Sequence, residues 1–321
     1  MSTIATMGTN SPVQQTCSDG YYHRCPFDIG YTGQRCSGSP TVVWFKGQFI
    51  CYFKVDNNSG DIYYITSLKG LEWTCEATST HLSCSDEPVA VVFNDEVHLF
   101  FRDGGGNCLF HVSSSTGKFE GKNIVDYPGL DIDWKPSAAI QDDGSSKSLV
   151  VLARGHHSND IVYAKFTAGT KPGDKGTWSS GQTGFHCNGA PSIIYFKGQF
   201  VCYFQDPATN ANGVFFITSD DGTKWMNKYG DNGATKFDSS SSPAPVVVNG
   251  MVYVFYRDRD GNGIMNMMSN DGITFTTPLF AYTGLNCNPA PGVACSDNGS
   301  TVVVAQDNLG TNVNYAVAAA L

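Results

Sequence analysis

Two stretches of this chain, 151 residues apart, nearly coincide: Phe45-Lys46-Gly47-Gln48-Phe49-Ile50-Cys51-Tyr52-Phe53 and Phe196-Lys197-Gly198-Gln199-Phe200-Val201-Cys202-Tyr203-Phe204. Internal repetition constrains a fold more tightly than composition does, because each copy must form the same substructure and bury the same faces. Phe100-Phe101-Arg102-Asp103 matches Phe255-Tyr256-Arg257-Asp258, and Ala153-Arg154-Gly155 matches Ala305-Gln306-Asp307 more weakly. The chain therefore reads as two tandem halves.

A shorter period lies inside each half. A proline precedes an apolar run at Pro40, Pro88, Pro136, Pro191, Pro245 and Pro291, with spacings of 48, 48, 55, 54 and 46 residues. Each repeat alternates apolar with polar residues, is rich in β-branched and aromatic side chains, and is punctuated by Gly, Asn and Asp. That pattern spells four short strands and no helix. Four strands in roughly 50 residues is the size of a propeller blade. The expected fold is all-β: a six-bladed β-propeller of two three-blade halves, spanning 21–321, with residues 1–20 as a loose arm. The sixth repeat runs out of chain after three strands. Tyr31-Thr32-Gly33-Gln34-Arg35-Cys36 matches Tyr282-Thr283-Gly284-Leu285-Asn286-Cys287, so a strand over about 27–35 is expected to complete the last blade and remove an open sheet edge.

Composition excludes several functions. A net charge of −9 and a pI near 5.1 leave no cationic surplus for a nucleic-acid partner. No apolar run is long enough to span a bilayer. The N-terminus has no basic and apolar leader pattern, so a cytoplasmic or leaderless secreted protein is expected. The eleven cysteines contain no CxxC, which removes zinc-ribbon and thioredoxin readings and favours buried thiols over disulfides. Cys36, Cys84, Cys187 and Cys287 each stand four residues before a repeat proline, a packing position rather than a ligand set. His156-His157 is adjacent in sequence, a poor chelating spacing. No metal and no cofactor are implied.

The turn Ser219-Asp220-Asp221-Gly222-Thr223-Lys224-Trp225 resembles the Asp-box of sialidase-like propellers, one residue short of the usual pattern. Ser269-Asn270-Asp271-Gly272-Ile273-Thr274-Phe275 is a second example, and the turns Ser67 to Trp73 and Ser113 to Phe119 are degenerate ones. The resemblance implies that the box braces the turn between strands three and four, away from any ligand. Asp221 and Asp271 are therefore left out of the chemistry.

Antiparallel topology gathers the loops after strand two and the segments before strand one on the other face. A long donor recurs at the end of each second strand, usually beside an acid: Lys54, Arg102-Asp103, Arg154 with Asn159, Gln205-Asp206, Arg257-Asp258 and Gln306-Asp307. Such pairs suit sugar hydroxyls, which donate and accept at once; equally, they can tie neighbouring blades together. The segments before strand one add Glu87, Asp131, Trp134 and His186. With symmetry largely kept, the sequence favours a carbohydrate-binding module, a lectin with several quasi-equivalent sites whose partners are glycans or glycoproteins. In architecture it resembles the fungal fucose lectins. Two alternatives stay open. One is a sialidase-like glycoside hydrolase, whose carboxylates would come from Asp86, Glu87, Asp131 and Asp133; the other is a protein-interaction scaffold. No catalytic residue is singled out.

Overall fold

The computed structural model describes residues 14–16, 22–24, 27–119, 126–142, 147–168, 176–206, 213–227, 234–259, 261–276 and 282–319. Blade one comprises Thr41–Phe45, Gln48–Lys54, Asp61–Ser67 and Thr78–Ser83, paired in that order as an antiparallel sheet. Blade three (Ser137–Asp142 to Thr177–His186), blade four (Ser192–Phe196 to Ala234–Asp238) and blade five (Ala244–Val248 to Tyr282–Asn286) repeat the same order. Blade six joins Gly292–Cys295, Thr301–Gln306 and Asn312–Ala318 to Phe27–Arg35, which pairs antiparallel with the C-terminal strand, Ala318 opposite Phe27 and Asn312 opposite Arg35. First strands touch from blade to blade, and the first strand of blade six touches that of blade one, so the six sheets form a ring.

Blade two departs from the pattern. Among the described residues it has three regular strands, Val89–Phe93, Glu96–Arg102 and Leu109–Ser114. Its outer edge is met by single bridges, His111 with Asp126 and Cys108 with Asp131. The expected arm falls mostly outside the described residues; within it, Gln14–Thr16 pairs antiparallel with Tyr22–Arg24. Among the described residues no helix is long and apolar enough to cross a membrane.

Second strands carry most of the packing. In blades one, two, four and five the burial along this strand is identical, with five consecutive buried residues between half-buried ends. Successive side chains point to opposite sides of a sheet, so such a strand must be apolar on both faces. In blade one, Phe49, Cys51 and Phe53 pack toward blade six, while Ile50 and Tyr52 pack toward blade two. Six buried apolar clusters result, each shared by two adjacent blades.

The turns after third strands wedge into the preceding blade. Ser219 Oγ accepts the Gly222 N–H at 2.8 Å, and Asp221 accepts those of Thr223 and Lys224 at 2.8 and 2.9 Å. Ser269 and Asp271 bond Gly272, Ile273 and Thr274 in the same way. These carboxylates are occupied within their own turns. Gly222, at φ +75°, would place a Cβ 2.4 Å from Val150 of the preceding blade, so the turn requires glycine both for conformation and for close approach.

Nine cysteines among the described residues are free, and six of them are buried. Burial pushes the thiols of Cys36, Cys84, Cys187 and Cys287 up to about 12. Ile132 and Ser239, both fully buried, occupy the matching positions in blades three and five, so the position takes a compact buried side chain.

The halves also repeat long-range bonds. The buried Tyr52 hydroxyl donates to Gly117 O and the buried Tyr203 hydroxyl to Gly272 O, each at 2.6 Å, each spanning from one blade to the turn of the next. Tyr52→Phe and Tyr203→Phe each leave a buried carbonyl unmatched, at a cost of about 1–3 kcal/mol. Equilibrium denaturation should show similar losses for the two; a loss confined to one would mean that the halves are not mechanically equivalent.

Candidate functional site

The long donors at second-strand ends are already engaged. Lys54 Nζ donates to Ser85 O at 3.0 Å. Arg102 donates through Nε to Ser85 Oγ at 2.7 Å and through Nη1 to Asp133 O at 2.6 Å. Gln205 donates to Ser239 O, and Arg257 to Asn288 Oδ1 and Asn262 Oδ1. Gln306 donates to Cys36 O at 3.0 Å and accepts from Gly38 N at 3.2 Å. In these five blades the donor reaches the segment leading into the next blade. Arg154 instead bonds its own loop, at Ser158 O and Asn159 Oδ1, and lies 5.8 Å from the centre of the Trp134 ring.

Around the axis, the segments leading into the first strands and the ends of three second strands enclose a cavity of about 440 Å³. Of the residues singled out from sequence, Glu87, Arg102, Trp134, Gln205 and Arg257 line it. Asp103, Asp131, Arg154, Asn159, His186, Asp206, Asp258, Gln306 and Asp307 do not. The outlying groups have local roles where their partners are described. Asp131 accepts from the Tyr127 hydroxyl at 3.2 Å, His186 pairs with Asp160 at 2.8 Å, and Asp307 accepts from Leu309 N at 3.0 Å. The Asp103 and Asp258 carboxylates lie beside Gly106 and Gly261 of their own loops, in matching positions of blades two and five.

Polar groups line the cavity all round, with the acidic ones gathered on one side. Asp86, Glu87, Asp133, Trp134 and Lys135 form one wall, where blades two and three begin. Asn188, Gln205, Arg257 and Asn288, together with Gly189, Ala190, Ser242, Pro289 and Ala290, line the rest. The cavity narrows along the axis to a space of about 120 Å³ lined by Pro136, Pro191, Pro243, Pro245 and Pro291. Lys135, Ala190, Ser242 and Ala290 line both parts. Lys135 was not among the residues singled out; the signal for it was the break in repeat symmetry just before the repeat prolines, where Ser39, Glu87 and Lys135 face three alanines.

Electrostatics set the state of the polar wall. Asp86 and Glu87 lie within hydrogen-bonding reach of each other. Burial, then the hydrogen bond and charge of Glu87, push Asp86 up to about 7. Burial opposes the charge of Glu87 too, but the bond from Asp86, the Lys135 ammonium and the Ser39 N–H outweigh it and hold that carboxyl below its ordinary value. The pair thus keeps one proton near neutrality. Burial lowers the Lys135 ammonium against the pull of both carboxyls. Asp133 is committed elsewhere, to His156 Nδ1 at 2.5 Å and His157 N at 3.0 Å. Carboxyls in mutual contact stand closer than the roughly 5 Å at which an acid and a nucleophile flank a glycosidic bond.

No family model matches the chain, and no curated protein matches it. Solved structures do. A fungal lectin of Aleuria aurantia, described as a six-bladed β-propeller with a novel fucose recognition mode, aligns over 91% of each chain at 12% identity and TM-score 0.61. AofleA from Arthrobotrys oligospora aligns over 91% of this chain and 85% of its own, also at 12% and 0.61. The SapL1 lectin, solved with alpha methyl fucoside, aligns over 89% and 95% at 14% and 0.60. At such identities the likeness is one of fold: this chain is a six-bladed β-propeller, similar in architecture to propeller lectins.

Two measurements test the roles given above. Arg102→Ala removes a charged bridge between blades two and three and should cost about 1.5–3 kcal/mol of stability; an unchanged melting midpoint would release Arg102 from that role. Between about pH 5 and 7 the folded protein holds a proton on Asp86 that the unfolded chain has lost, so stability falls as pH rises through this window. Asp86→Asn cannot ionise and should gain on the parent between pH 5 and pH 8 in denaturant titrations. Parallel pH curves would refute the shared proton.

Proposed function

We propose that this chain is a carbohydrate-binding propeller that engages glycans with the loop face surrounding its axis. The observation carrying this reading is the cavity at the axial mouth, where a half-exposed indole stands beside groups that both donate and accept hydrogen bonds. Trp134 is 45% exposed, and the face of its ring suits the apolar side of a sugar ring. Glu87, Asp86 and Lys135 supply acceptors and donors next to it, which sugar hydroxyls require together. A volume of about 440 Å³ falls within the roughly 300–1,000 Å³ of small-molecule sites. The architectural neighbours agree in kind: one is described by its fucose recognition mode and another was solved with alpha methyl fucoside.

A second form of the reading places several quasi-equivalent sites on the rim loops, with avidity gained by multivalency. It is favoured by the matching placement of Asp103 and Asp258. Ligand stoichiometry separates the two forms.

The experiment is a glycan array probed with the labelled protein, with competition by monosaccharides on each hit. Binding that one monosaccharide displaces is expected. Trp134→Ala should weaken it about tenfold, or about 1.4 kcal/mol, with the melting midpoint unchanged. A blank array would remove the carbohydrate reading and leave the scaffold reading to be tried with protein partners.

A further inference from the structure

We propose that the buried pair His98 and His111 is an acid-sensitive latch on the outer edge of blade two: with both rings neutral it holds the segment at Asp126 in place, and a proton taken up by the pair releases that segment from blades two and three. The inference is independent of the carbohydrate reading.

The first ground is a count of hydrogens. Both rings are buried and stacked, with centroids 5.0 Å apart. His98 Nε2 lies 3.1 Å from Phe93 O, which can only accept, so this nitrogen carries a hydrogen. A neutral His98 then offers a lone pair at Nδ1, and His111 Nε2, 2.9 Å away, donates to it. The remaining nitrogen, His111 Nδ1, is buried and meets no partner among the described residues. Two N–H groups thus serve two bonds. A third hydrogen, whichever ring carries its charge, leaves an N–H at His111 Nδ1 without an acceptor, and an unpaired buried donor is costly.

The second ground is what surrounds the pair. On the strand of His98, Glu96 stands 4.0 Å from Nε2, which is already spent on Phe93 O. On the outer edge Asp126 acts on His111 through its charge, while its carboxylate accepts from Trp178 Nε1 at 2.8 Å and from Tyr127 N at 3.0 Å. Bonding Nδ1 requires that carboxylate to move, and moving it breaks its tie to blade three. The other neighbours are apolar rings: Phe93 beside His98, Phe100 stacked on His111 at 4.8 Å, and Trp178 of blade three at 5.5 Å. Burial accordingly pushes His98 below its ordinary value, and burial with the charge of His98 pushes His111 down to about 3 against the pull of Asp126.

The third ground is position. His111 is itself the residue that holds the edge, since its N–H donates to Asp126 O at 2.9 Å and its carbonyl accepts from Asp126 N at 2.8 Å. A ring leaving the stack to hydrate its proton therefore loosens the edge at its point of attachment. In blade five the matching residues are Tyr253 and Asn266, neither of which takes up a proton in mild acid, so that blade is an internal control. Because the folded rings bind protons less readily than free histidine does, near 6.5, the latch is whole above about pH 6.5 and weakens as pH falls. The ratio of open to closed edge should rise about tenfold per pH unit for each proton taken up.

Hydrogen exchange of the full chain, read by mass spectrometry between about pH 7.5 and 4.5 and corrected for the intrinsic pH dependence of exchange, tests this. Peptides covering Leu109–Ser114 and 126–132 should lose protection by about tenfold or more per pH unit below about pH 6, while Gly263–Ser269 of blade five keeps its own. His111→Phe retains a ring on Phe100 and cannot take up a proton, so its blade-two protection should change by less than about threefold over the same range. A variant profile as steep as the parent's would overturn the assignment to this pair. Should the variant fail to fold, the parent alone decides: protection in blade two that holds as pH falls, or that is lost in step with blade five, overturns the latch.

Discussion

Everything in this protein depends on second strands that are apolar on both faces. A sheet with one wet face can stop at two layers; a sheet that must cover both faces needs a neighbour on each side. Phe49, Cys51 and Phe53 facing one blade and Ile50 and Tyr52 facing the other leave no end at which the stacking can terminate. A ring satisfies that demand without a terminal surface, and pairing Phe27–Arg35 with the C-terminal strand completes the last sheet. Glycine turns such as that at Gly222, pressed against Val150, set how closely successive blades approach.

The same demand explains what the sequence displayed and what it hid. Period-two apolar strands, repeat prolines and the matched segments at Tyr31 and Tyr282 are local patterns, so blade number and strand order could be read directly. The outer edge of blade two could not. Asp126 and Asp131 meet it through single bridges, and isolated bridges leave no periodic trace. The donor positions at Arg102, Gln205, Arg257 and Gln306 were legible as positions, yet whether a donor is spent on a neighbouring blade or open to a ligand is a matter of distance. Arg102 reaching Asp133 O at 2.6 Å decides that, and nothing in the repeat announces it. Lys135 was visible as an exception to the pattern; its place in the axial cavity beside Asp86 and Glu87 was not.

Repetition of the blade makes the rim and the axis unequal places for a function to arise. On the rim, a substitution in one blade changes one of six separated loops, and useful chemistry must be assembled within that loop or with its neighbour. Along the axis all six first strands converge, so a change in one blade faces the other five across a few ångströms. Glu87 and Lys135 come from consecutive blades and act on each other there, while Ala190 and Ala290 leave them room. Second-strand donors that hold the blades together, such as Arg102, Gln205 and Gln306, carry one mechanical duty. The axial positions carry no such duty once the hydroxyls of Thr41, Ser137 and Ser192 have bonded the next inner strand. The position before each repeat proline is therefore where similar blades can differ without loosening the ring, and it is where this chain places Glu87 and Lys135.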